Sequence, residues 1–102
     1  MNQQIFNEIQ VLKRQILPNE KMILFGSQAR GDVRDDSDWD LLVLLNKPHK
    51  EPSDEDKVFQ FVLIGWKYGT YLSIKTYTED QWEKGKKFPF YKNVMREGIE
   101  IH

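Results

Sequence analysis

Five apolar residues in succession, Leu41-Leu42-Val43-Leu44-Leu45, place the tightest constraint on how this chain can fold. With Asp38, Trp39 and Asp40 before them they read as a strand over residues 38–45. Successive strand side chains point to opposite faces, and here neither face is polar. A strand of that kind belongs in a sheet covered on both sides. The chain must therefore supply helices for both faces, which is a mixed α/β layer. The run is also the longest apolar stretch in the sequence, and it is far too short to span a bilayer.

The rest of the chain supplies those helices. Ile5, Ile9, Leu12 and Ile16 recur at helical spacing, which predicts an amphipathic helix over 2–17. Pro18-Asn19 closes it, because the residue before a proline avoids the helical region. Met22 to Phe25 reads as a short strand ended by Gly26, and a short helix starts at Ser27 and ends near Gly31. Residues 32–37 and 46–52 are polar loops. Ser53 reads as an N-cap, with Asp56 three residues on resembling a capping box, for a helix to about Tyr68. Gly69 suits the position after that helix. Tyr71 to Tyr77 is a further strand, and Thr78 caps a short helix through about Lys84. Pro89 opens a last helix that runs to about Arg96 and stops at Gly98. The expected order is α-β-α-β-α-β-α-α. It describes one α/β (α+β) domain over residues 1–102, a small mixed sheet flanked by helices.

Composition narrows the function. Lys and Arg total 15 against 16 Asp and Glu, a net charge of −1. Nucleic-acid binders carry a basic excess, so that role is disfavoured. The basic run Lys84, Lys86, Lys87 reads as a solvated helix end. There are no cysteines, which excludes disulfides, thiolate metal sites and cysteine nucleophiles. The opening MNQQIFNEIQ lacks the features of a signal peptide, so a cytoplasmic protein is expected. His49 and His102 have no metal-ligand spacing around them and are assigned no role.

The chemistry concentrates between Leu24 and Leu45. Gly26-Ser27 follows a strand and opens a helix. Glycine lets backbone approach a ligand closely, and helix-start N–H groups attract an anion. Taken alone, the pair reads first as an ordinary strand-to-helix turn with a serine cap. Asp38 and Asp40 share one strand face, with Cα atoms roughly 6–7 Å apart. Two such carboxylates can hold Mg²⁺, which takes oxygen ligands and shares them with substrate phosphates. Taken alone, they are a polar strand end. Arg30 lies one turn past Ser27 on the same side, placed to support a phosphate or the acidic pair, or simply solvated. The order adds specificity: an anion site follows one strand and a metal site begins the next.

These residues carry a resemblance. Gly26-Ser27, ten intervening residues and Asp38-Trp39-Asp40, with Ala29-Arg30-Gly31 and Ser37 between, resemble the signature of the DNA polymerase beta-like nucleotidyltransferase superfamily. The chain looks like its minimal nucleotidyltransferase (MNT) branch, and the tail FPFYKNVMREGIEI resembles the end of those proteins. The resemblance implies transfer of a nucleoside monophosphate from an NTP, with ATP expected, to a hydroxyl of a protein or small molecule. Gly26, Ser27 and Arg30 would bind the nucleotide, and Asp38 and Asp40 would act in catalysis as ligands of Mg²⁺. A third carboxylate normally completes a two-metal site and helps deprotonate the acceptor. Its position here is Ser73, a poor Mg²⁺ ligand and no base. Glu79 lies roughly 20 Å further along at strand rise, so it cannot substitute. Asp35 or Asp36 is better placed to stand in. The expectation is that Mg-NTP binding survives while transfer is weak or absent, the two-metal site being incomplete.

The resemblance also implies a partner. MNT proteins pair with small all-helical HEPN proteins, in some cases as antitoxins. A catalytically degenerate antitoxin or adaptor is therefore the alternative reading. The helix over 53–68 adds an independent hint, since Val58, Phe59, Phe61, Val62, Leu63, Ile64 and Trp66 form a wider stripe than one sheet needs. Either two of its sides are buried, or a patch is left for a partner or a second copy of the chain.

Overall fold

A computed structural model describes residues 1–31 and 38–102. Helix α1 spans Gln3–Ile16, and the Asn2 side chain caps it by accepting from the N–H groups of Gln4 and Ile5. Strand β1 (Lys21–Phe25) leads through Gly26 into the short α2 (Ser27–Arg30). Strand β2 is Trp39–Leu45, α3 is Pro52–Tyr68 and β3 is Leu72–Thr78. Thr78 caps α4 (Glu79–Lys84), its hydroxyl accepting from Gln81 N–H. Helix α5 (Pro89–Glu97) and a final strand β4 (Ile99–Ile101) end the chain.

The strands form one sheet in the order β3-β2-β1-β4. β1 runs antiparallel to both β2 and β4, and β2 runs parallel to β3. The parallel pair needs a crossover, and α3 supplies it. Residues of β2 alternate between two cores, as the apolar run requires. Trp39, Leu41, Val43 and Leu45 pack with Ile9, Phe61 and Ile64 beneath α1 and α3. Leu42 and Leu44 pack with Ile23, Trp82 and Val94 beneath α4 and α5. Asp40 shares the second face by parity, so the acidic end of β2 lies on the side covered by α4 and α5.

Two expectations are corrected. The sequence reading has no strand after Gly98, yet Ile99–Ile101 pairs with β1, Met22 opposite Ile101. Three residues are too few to show a period. Helix α3 also starts earlier than expected, with Glu51 rather than Ser53 at the cap. Pro52 at the first helical position is already set to helical φ. Asp54, not Asp56, closes the turn by accepting from the Glu51 N–H at 2.7 Å.

Asp54 is buried and meets the Lys47 ammonium at 2.7 Å. Burial pushes its carboxyl upward, but the hydrogen bonds from Lys47 and the Glu51 N–H outweigh that and hold it below the ordinary aspartate range. A depressed folded-state value stabilises the fold above the unfolded value of about 3.9, and the contribution is lost as pH falls below it. Asp54→Asn is therefore expected to cost about 1–2 kcal/mol at pH 7. The variant and wild type should converge in urea melts as pH falls through the depressed folded-state value of Asp54. A difference that persists unchanged at low pH would contradict this account.

Candidate active site

The backbone brings three elements to one point. Register pairs Asp40 with Phe25 on one side and with Ser73 on the other. The chain then turns at Gly26, with φ 74° and ψ −157°, and passes directly beneath the Asp40 side chain. A Cβ at Gly26 would collide with Asp40 Oδ2 and stand 3.2 Å from its Cγ. Glycine is thus required twice here, for its conformation and for its missing side chain. Ser27 follows as the first residue of α2, where helical N–H groups have no intrahelical acceptor.

Gly26, Ser27, Arg30 and Asp40 line one cavity of about 390 Å³, together with Asn93 and Glu97 of α5. Phe25 and Phe90 form its apolar wall, their rings edge to face at 5.5 Å. Arg30 is not simply solvated: its guanidinium donates to Glu97 at 3.1 Å, tying α2 to α5 across the cavity. Arg96 meets the same carboxylate at 3.2 Å, and the two guanidinium groups hold Glu97 below its usual range.

Burial pushes the Asp40 carboxyl up, and the negative charge of Asp38 adds to the effect. Lys75 and Arg30 oppose it. Asp38 is exposed just ahead of β2, and the neighbouring Trp39 N–H donates to the Tyr71 carbonyl at 2.9 Å. Ser73 lies beside Asp40 on the same face of the parallel pair, about 4.8 Å away at strand spacing. Lys75 is two residues on, on that same face and exposed.

The other candidates separate. Glu79 begins α4 after Thr78, whose register partner is Leu45 at the far end of β2, so it stands away from Asp40. Asp35, Asp36 and Ser37 lie outside the described residues. His102 pairs with Glu100 at 3.3 Å, and Lys84, Lys86 and Lys87 are exposed. Among the described residues no group of three or more His, Cys, Asp or Glu converges as a metal cluster, and no helix is long and apolar enough to cross a membrane.

Sequence reasoning missed the α5 wall. Phe90, Asn93, Val94 and Glu97 recur at helical spacing and present one face to the cavity. That periodicity was the available signal. Lys75 was missed because a lone lysine on a strand carries no pattern of its own.

The profile of the nucleotidyltransferase domain matches residues 8–100. A Methanocaldococcus jannaschii protein bearing the name "putative protein adenylyltransferase" is 33% identical over 88 residues, covering 81% of this chain and 78% of its own length.

Proposed function

Because the chain belongs to the nucleotidyltransferase domain family, we propose that it transfers AMP from Mg-ATP to a hydroxyl group of a protein and releases pyrophosphate. The observation that carries the reading is the closure of Gly26 against Asp40 over a cavity shared with Ser27 and Arg30. The name of the archaeal relative supports AMP as the group moved and a protein as acceptor. We place the reaction in the cytoplasm, where Mg-ATP is supplied.

The donor set fits magnesium that arrives with the nucleotide. Asp38 and Asp40 offer hard carboxylate oxygens on one strand end, and phosphates and water complete the coordination such an ion prefers. When bound, it neutralises the triphosphate and makes the α-phosphorus more electrophilic. The chain's own groups do the rest. Ser27 and the first-turn N–H groups hold the phosphate tail. Arg30, fixed by Glu97, adds a positive charge on the same side. The acceptor oxygen bonds to the α-phosphorus as the bond to pyrophosphate breaks. Its proton passes to water, because Ser73 occupies the position where a carboxylate would take it.

A second reading draws on that same serine. Without the third carboxylate the chain would retain Mg-ATP binding and act as an antitoxin or adaptor for a small helical HEPN-type protein. Labelled ATP separates the two. Host lysate incubated with the protein and ATP labelled at the α-phosphate is expected to yield a labelled protein, and ATP labelled at the γ-phosphate is not. Asp40→Asn should abolish the signal. Mg-ATP binding without transfer of α-label would favour the second reading.

A further inference from the structure

Helix α3 keeps one face bare. Phe61, Ile64 and Gly65 turn inward to the sheet, while Phe59, Leu63 and Trp66 remain 48%, 43% and 61% exposed. Their i, i+4, i+7 spacing puts the three on one outward line. The Phe59 and Trp66 rings meet edge to face at 5.5 Å, so the strip is already packed as a ridge. Beside it a groove of about 500 Å³ runs between α3 and α1, floored by Val11, Leu12, Leu63 and Ile64. None of this touches the nucleotide cavity, which lies on the opposite face of the sheet.

Charge along the strip identifies its partner. At the N-terminal end of the line stand Glu55 and Asp56, both exposed. At the C-terminal end stands Lys67, which donates to both carboxylate oxygens of Glu8, at 3.1 and 3.3 Å, and keeps one N–H for another acceptor. A partner of one charge sign would match only one end. A copy of the same helix, reversed, matches both. Reversal about a twofold axis between Phe59 and Leu63 sets Phe59 of each copy against Leu63 of the other. The same operation brings Asp56 over Trp66 and Lys67, whose indole N–H and ammonium are both donors that a carboxylate can accept from. Such an arrangement is isologous and closes on itself.

We infer that α3 is a self-association surface and that two copies of this chain pair through antiparallel α3 helices. One helix pair buries on the order of 1,000 Å², near the low end for specific interfaces, which suits a reversible dimer. The two nucleotide cavities face away from the contact and remain accessible.

Sedimentation velocity over a concentration series tests this, with circular dichroism as the folding control. Wild type is expected to shift from monomer to dimer between about 1 and 100 μM, and Leu63→Glu to stay monomeric. Asp56→Lys and Lys67→Glu should each weaken the dimer about tenfold or more, since each sets like charges opposite one another. An equimolar mixture of those two variants should restore it, because each contact again pairs opposite signs. Wild type that is monomeric at several hundred micromolar would overturn the inference. So would a dimer that Leu63→Glu leaves intact, or a mixture no tighter than its parts.

Discussion

Ser73→Asp is expected to raise AMP transfer about 10²-fold, the lower range for a positioned general base. The reason is register. Position 73 lies directly beside Asp40 on the same face of a parallel pair, so a carboxylate there would stand next to Asp40, on the side the proposed reaction gives to the acceptor. It would accept the acceptor's proton and add an oxygen donor on the acceptor side. Lys75, two residues on and exposed, offsets part of the added negative charge. Mg-ATP affinity should change little, because the phosphate contacts proposed above lie at Gly26 and Ser27, away from position 73. The gain should therefore fall on kcat rather than on KM for ATP. Ser73→Ala should leave the wild-type rate unchanged. A folded Ser73→Asp protein with no gain would show that the missing carboxylate does not limit this site.

Gly26→Ala should disable the site from the other side. The added methyl collides with Asp40 Oδ2, and the backbone at φ 74° is strained for any residue with a Cβ. Relief requires Asp40 to swing away or the β1–α2 turn to unwind. Either movement separates the carboxylate from Ser27. The expected cost is about 2–3 kcal/mol in urea unfolding, with Mg-ATP affinity falling at least about tenfold. Gly31→Ala is the control. Gly31 also has positive φ, at 82°, but among the described residues its new Cβ would meet nothing within 4 Å. It should cost stability of about 1 kcal/mol and spare nucleotide binding. Equal losses of binding in both variants would mean that backbone strain, and not the contact with Asp40, governs the site.

Where the sequence was legible, the signal was strong in a single element. The run Leu41–Leu45 demanded cover on both faces, and the alternation of its residues between two cores meets that demand. Asp40 could be placed on its face by parity alone, although Asp38, expected in the same strand, lies just ahead of it, and Ser73 could be aligned with Asp40 before its register was known. Thr78, Pro89 and Gly69 declared their helix ends through local chemistry. What stayed hidden depended on tertiary contact. Strand β4 is held by its pairing with β1 and by the burial of Ile101, neither of which a three-residue stretch announces. The cap of α3 moved to Glu51 because Lys47 and Asp54 meet there across the preceding loop. Glu97 could not be read as the anchor of Arg30 because 67 residues separate them. The wide apolar stripe of α3 was visible, but only the fold shows that Phe61 and Ile64 turn inward while Phe59, Leu63 and Trp66 do not.

The central claim is that Gly26, Ser27, Asp38 and Asp40 form a working Mg-nucleotide site. Calorimetric titration of ATP into the purified protein, with and without magnesium and beside Asp40→Asn, tests it most directly. Saturable binding that requires magnesium and weakens at least about tenfold in Asp40→Asn is the predicted result. No binding heat from a folded wild-type protein, or equal affinity in the variant, would contradict it.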